Sequence, residues 1–134
     1  MQKYLAEFLG TLTLALVVVG SGIMAESLTS DIAVQLLINA AATGAALWLL
    51  IQLLGPISGA HFNPVVTAIS RYRGEMKTGA ALSLITAQMV GAILGTIIAN
   101  ILYSKAAFEI SEKARDGGNL LLSEVIATAG LVFV

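Results

Sequence analysis

Ser58-Gly59-Ala60-His61-Phe62-Asn63-Pro64-Val65-Val66-Thr67 is the segment from which the architecture is read, because of what surrounds it. From Ile32 to Ser70 the chain carries no Asp, Glu, Lys or Arg. A Gly- and Pro-bearing segment with a His and an Asn normally sits in a solvated loop. Here the flanks are apolar enough for lipid, where irregular backbone persists only when buried in protein or lining a water-filled cavity. Asn63 is a good helix N-cap, and Pro64 fits the first helical position, where its missing N–H is not needed. The run reads as a half-helix starting at Asn63 and ending near Tyr72, too short to cross a bilayer. It enters from one side and returns to that side.

The neighbouring sequence supplies the spans. Apolar stretches run from about Tyr4 to Met24, interrupted only by Glu7, from about Ile32 to Leu54, and from about Thr78 to Tyr103. Each approaches the ~20 residues that a helical span needs. Lys3 gives the first run a leader-like start, but Glu7 and the spans that follow mark it as a membrane helix. The chain is 57% hydrophobic and 11% charged, with a mean hydropathy of +0.91. Soluble domains carry about 25% charged residues, so there is too little polar material here for a hydrated surface. The absence of Cys excludes disulfides and thiolate chemistry, and one His without a carboxylate cluster argues against a metal enzyme. A net charge of -1 argues against nucleic acid as a partner. No cofactor is expected.

The charges orient the chain. If the half-helix dips in and comes back out, Lys3, Arg71, Arg73 and Lys77 share one face with Glu7 and Glu75. The opposite face then holds Glu26, Asp31, Lys105, Glu109, Glu112, Lys113, Arg115 and Asp116. The Lys and Arg bias predicts a cytoplasmic N-terminus in a plasma or inner membrane. Lys105 to Asn119 reads as an exposed connector, and the apolar run that opens at Leu120 stops at Val134, like a fourth span cut short. Glu7-x3-Thr11-x2-Leu14 is echoed by Glu124-x3-Thr128-x2-Leu131. Repeats separated by three spans have opposite orientations, as in inverted-repeat transport proteins.

A half-helix whose amino end lies at mid-bilayer presents free N–H groups and a positive dipole end, which repels cations. The Asn63 amide can donate to a neutral solute. Extended backbone at Gly59, Ala60 and His61 would offer carbonyl acceptors along a lumen. Glu7 and Glu124 are intramembrane carboxylates, which are costly in lipid and therefore functional or paired. Two roles compete for them: sites for a coupling ion or proton, or acceptors for the N–H groups of re-entrant loops.

The decapeptide resembles the first Asn-Pro-Ala segment of the aquaporin, or major intrinsic protein, family, with Val65 where Ala is usual. Ala6-Glu7-Phe8-Leu9-Gly10-Thr11 resembles the start of that family's first helix, and Ala87-Gln88-x2-Gly91-Ala92-x2-Gly95 its third. The opening at Glu124, Thr128 and Leu131 is similar to its fourth. These motifs occur in family order and cover the first half of a normal member. The resemblance implies an all-α integral membrane bundle of three transmembrane helices, one re-entrant half-helix and the start of a fourth helix. Residues 1–117 would be the first of two inverted repeats, and residues 118–134 the opening of the second.

The resemblance also implies roles. Asn63, Pro64 and Val65 form the pore motif, and Gly59, Ala60 and His61 line the pore. Glu7 and Glu124 support the loops as hydrogen-bond acceptors. Thr43 falls where water-selective members carry an aromatic, which predicts a wider filter that admits glycerol, urea, ammonia or neutral metalloid hydroxides besides water. A homotetramer in membrane lipid follows from the same resemblance, as does a second Asn-Pro element, outside this chain, that completes the pore. Gly91-x3-Gly95, and Ala40, Gly44 and Ala45, permit close helix packing. The leading function is a passive channel with no covalent chemistry. The rivals are a proton- or ion-coupled carrier that uses Glu7 and Glu124, and a non-conducting structural membrane subunit.

Overall fold

The computed structural model describes residues 1–108 and 117–133. Glu109, Glu112, Lys113, Arg115 and Asp116, counted above on the second face, lie outside the described residues. The elements are α1 (Gln2–Leu28), α2 (Ile32–Ser58), α3 (Pro64–Tyr72), α4 (Thr78–Leu102) and α5 (Gly118–Phe133). No strand occurs among the described residues. Three helices, α1, α2 and α4, are long and apolar enough to cross a membrane. α3 has 9 residues, which is about 14 Å of helix at 1.5 Å per residue, against a hydrocarbon core of about 30 Å.

Each boundary has a local cause. Asp31 caps α2, its Oδ1 accepting from Ala33 N at 2.8 Å and Val34 N at 3.3 Å. Gln35 Nε2 donates to Thr29 O at 2.7 Å and ties down the short turn between α1 and α2. α2 runs past the expected end at Leu54 and takes Pro56 inside it. Gly55-Pro56 reads as a break in sequence, but Gly59 N donates to Gly55 O at 2.9 Å and closes one further turn. Gly59 ends the helix in the left-handed region at φ 91, a conformation that glycine adopts without steric penalty.

The chain directions follow from the contacts. Gly91 and Gly95 let α4 lie directly on α1: a Cβ at Gly91 would sit 2.5 Å from Phe8 O, and one at Gly95 would meet Leu12 O. Rising numbers on both helices meet in order, so α1 and α4 are parallel. α2 is antiparallel to α1, with Asn39 Nδ2 on Val18 O at 2.7 Å and Ser58 Oγ on Glu7 Oε1 at 2.6 Å. α3 is antiparallel to α4: Gln88 reaches Thr67, and Arg71 Nε donates to Thr78 Oγ1 at 2.8 Å. The amino end of α3 therefore lies midway along α4, and its carboxyl end lies where α4 begins. α1 starts, α3 ends and α4 starts at one end of the bundle. The small-residue packing expected on α2 does not extend to Gly44, where a Cβ would meet nothing within 4 Å.

Candidate functional site

The site is built around a buried carboxylate. Glu7 is 0% exposed, and four donors converge on it. Oε1 accepts from Ser58 Oγ at 2.6 Å and His61 N at 2.9 Å, and Oε2 accepts from Phe62 N at 2.8 Å and Gln88 Nε2 at 2.7 Å. Ser58 Oγ in turn accepts from Ala60 N at 3.1 Å. One carboxylate of α1 thus gathers the end of α2, the loop before α3 and the middle of α4. Hydrogen bonds to a charged acceptor are the strong ones, and they hold this loop in an uncommon shape.

The expected extended backbone is absent at Gly59 and Ala60. Gly59, Ala60 and Phe62 have φ of 91, 50 and 46. Left-handed backbone costs a non-glycine residue about 1–2 kcal/mol. The loop adopts it because only a tight reversal points the N–H groups of residues 61 and 62 at the same carboxylate. The carbonyl oxygens of Gly59, Ala60 and His61 receive no donor among the described residues.

Asn63 caps α3, its Oδ1 accepting from Val65 N at 2.8 Å, and Pro64 takes the first helical position. Its Nδ2 group donates to no acceptor among the described residues, nor do the N–H groups of Asn63 and Val66. Val65 is 47% exposed. Polar groups thus stand unpaired among the described residues along one short path: carbonyls before the cap, the amide and N–H of the cap itself, and the Val66 N–H after it. Such groups require a polar partner.

Thr67, fully buried, joins the half-helix to the rest. Its Oγ1 lies 2.9 Å from Gln88 Nε2, 3.0 Å from His61 Nδ1 and 3.2 Å from Asn63 O. One hydroxyl proton serves these contacts. With a proton on His61 Nδ1, Thr67 donates to Asn63 O. With Nδ1 bare, Thr67 donates to the ring, and Asn63 O keeps the bond from Thr67 N at 3.1 Å. Either way His61 is tied to α3.

Glu124 and Thr43 lie apart from this cluster. Glu124 is exposed on α5, in a groove of about 530 Å³ with Val65, Ile69, Val125, Thr128, Ala129 and Val132. It shares position in its motif with Glu7 but has none of its partners. Thr43, half-buried on α2, has a shielded Oγ1 with no hydrogen-bond partner among the described residues. Sequence reasoning quoted Ser58, Thr67 and Gln88 without giving them a part in the site. The available signal was Gln88, an amide inside an uncharged span, which needs a polar partner.

A family model described as "Major intrinsic protein" matches residues 1–134. The chain belongs to the major intrinsic protein family. It is 44% identical over 131 residues to the aquaglyceroporin AqpS of Rhizobium meliloti (strain 1021), covering 98% of this chain and 56% of that relative. A probable glycerol uptake facilitator protein of Thermotoga maritima is 30% identical over 147 residues, covering 98% of this chain and 62% of its own length. Human aquaporin-5 is 37% identical over 106 residues, covering 79% of this chain and 37% of its own. The chain spans about half the length of the curated relatives it matches. As a major intrinsic protein with three membrane-length helices, it is an integral membrane protein.

Proposed function

We propose that this chain forms part of a passive channel for water and small uncharged solutes that excludes ions and protons. The observation that carries the reading is the row of unpaired polar groups from Gly59 to Val66, held midway along α4 by the Glu7 cluster. Carbonyl acceptors followed by amide donors replace a neutral solute's hydration in sequence. The positive end of the α3 dipole repels cations at the same place. Permeation needs no covalent step, so the reading is of a channel and not of an enzyme. The printed names of relatives, an aquaglyceroporin and a glycerol uptake facilitator, support it.

In this reading residues 1–117 are one repeat and residues 118–134 open a second, inverted one. A second Asn-Pro half-helix then meets α3 head-on, with Glu124 taking for its loop the part that Glu7 takes here. The groove shared by Glu124 and Val65 supports that arrangement. The N-terminus is placed in the cytoplasm and the assembly is a homotetramer. Leu50 and Ser58 are the only buried residues of α2 among those described and Trp48 is 66% exposed, which leaves its apolar face to lipid or to neighbouring protomers alike. Glu7 as a coupling site fits less well, because four donors already occupy its two oxygens.

Stopped-flow light scattering on proteoliposomes containing the chain with a complementary repeat tests the proposal. Osmotic or solute flux that ignores an imposed pH gradient is expected; flux that follows the gradient means a carrier. Thr43 adds a finer test. If it widens the filter, Thr43→Phe lowers glycerol flux by about tenfold while water flux falls far less; equal losses remove Thr43 from the filter.

A further inference from the structure

We propose that Phe62 is a positioning residue, whose ring docks into a notch at Gly10 and thereby fixes the adjacent Asn63. The loop before α3 is held to α1 by two handles, and only one of them is polar. Phe62 is 5% exposed although its backbone lies in the left-handed region, where a bulky side chain is an outlier that its surroundings must enforce. A Cβ at Gly10 would overlap Cε1 of the Phe62 ring and sit 2.6 Å from Cζ. The ring therefore rests against bare α1 backbone.

Glu7 and Gly10 are separated by three positions, so they occupy one face of α1. The carboxylate takes the Phe62 N–H at 2.8 Å, and the glycine takes the ring of the same residue. Main chain and side chain of Phe62 are thus both fixed to one turn of α1. Asn63 follows across a single peptide bond, with its cap amide free. The bonds from Ser58, His61 and Phe62 all converge on one carboxylate, about which the loop can still swing, and the seated ring removes that freedom.

This inference deepens the channel reading but can be tested without flux. Residue-resolved amide exchange and the Asn63 side-chain amide resonance, measured by NMR on the chain in lipid nanodiscs, report on the loop directly. Phe62→Ala should raise exchange at the His61 and Phe62 N–H groups by about tenfold, with the helical amides of α1 and α4 unchanged. It should also shift the Asn63 side-chain resonance. Gly10→Ala should do the same by displacing the ring, and the double variant should exchange no faster than Phe62→Ala alone. Should Gly10→Ala fail to fold, Phe62→Ala with Phe62→Leu as the intermediate case still decides the matter. Exchange within about twofold of wild type after Phe62→Ala, with an unmoved Asn63 resonance, overturns the proposal. So would multiplying effects in the double variant. If the chain reconstituted with a complementary repeat conducts nothing while the expected exchange is seen, the latch stands and the channel reading falls.

Discussion

Glu7 gives both of its oxygens to donors from three other segments, so its replacement tests the site most sharply at the scale of single residues. Glu7→Gln keeps the shape but turns an NH2 group toward donors. Buried donors left without an acceptor cost about 1–3 kcal/mol each, so a stability loss of at least that size is expected in a detergent-denaturation titration. Loss below about 0.5 kcal/mol would mean the four contacts contribute little. The need for partners was legible in a carboxylate set in an apolar span, but the residues alone left a coupling site and a loop acceptor open for Glu7, and only the family resemblance pointed to the acceptor. Gln88 was harder to place, because its partners Glu7 and Thr67 come from distant segments that only the fold brings together. The left-handed Ala60 and Phe62 were not legible at all, since neither residue type favours that conformation.

At the scale of elements, α3 illustrates what local chemistry dictates. Asn63 as cap and Pro64 at the first position mark its start, and the observed Pro64–Tyr72 follows from them. The end of α2 does not, because a Pro in the last turn removes one donor without breaking a helix that Gly59 closes. Glycines on α2 and α4 look alike in sequence and differ in contact. Gly91→Ala drives a methyl into the Phe8 carbonyl and should destabilise by about 1–3 kcal/mol. Gly44→Ala enters open space and should be neutral or stabilising by up to about 1 kcal/mol, from helix propensity. Thermal unfolding of the two variants in nanodiscs checks the pair. Equal shifts would show that α1 and α4 are not in backbone contact.

For the molecule as a whole, the parallel course of α1 and α4 and the short reversal at α3 place Lys3, Arg71, Arg73 and Lys77 at one end. The sequence carried this through its charge pattern, since basic residues gather on one side of a membrane. The exposed apolar sides of α2 and α4 suit the lipid that surrounds an integral membrane protein.

The proposed solute path depends on the nine residues of α3 turning back before they reach the far side. With no native Cys to interfere, single cysteines at Lys3, Arg73, Lys77 and Lys105 can be exposed to a membrane-impermeant thiol reagent in sealed, uniformly oriented vesicles. Positions 3, 73 and 77 should react from one side and position 105 from the other. Labelling of 73 and 77 from the side opposite to 3 would mean that the segment crosses, and no lumen of this kind could exist.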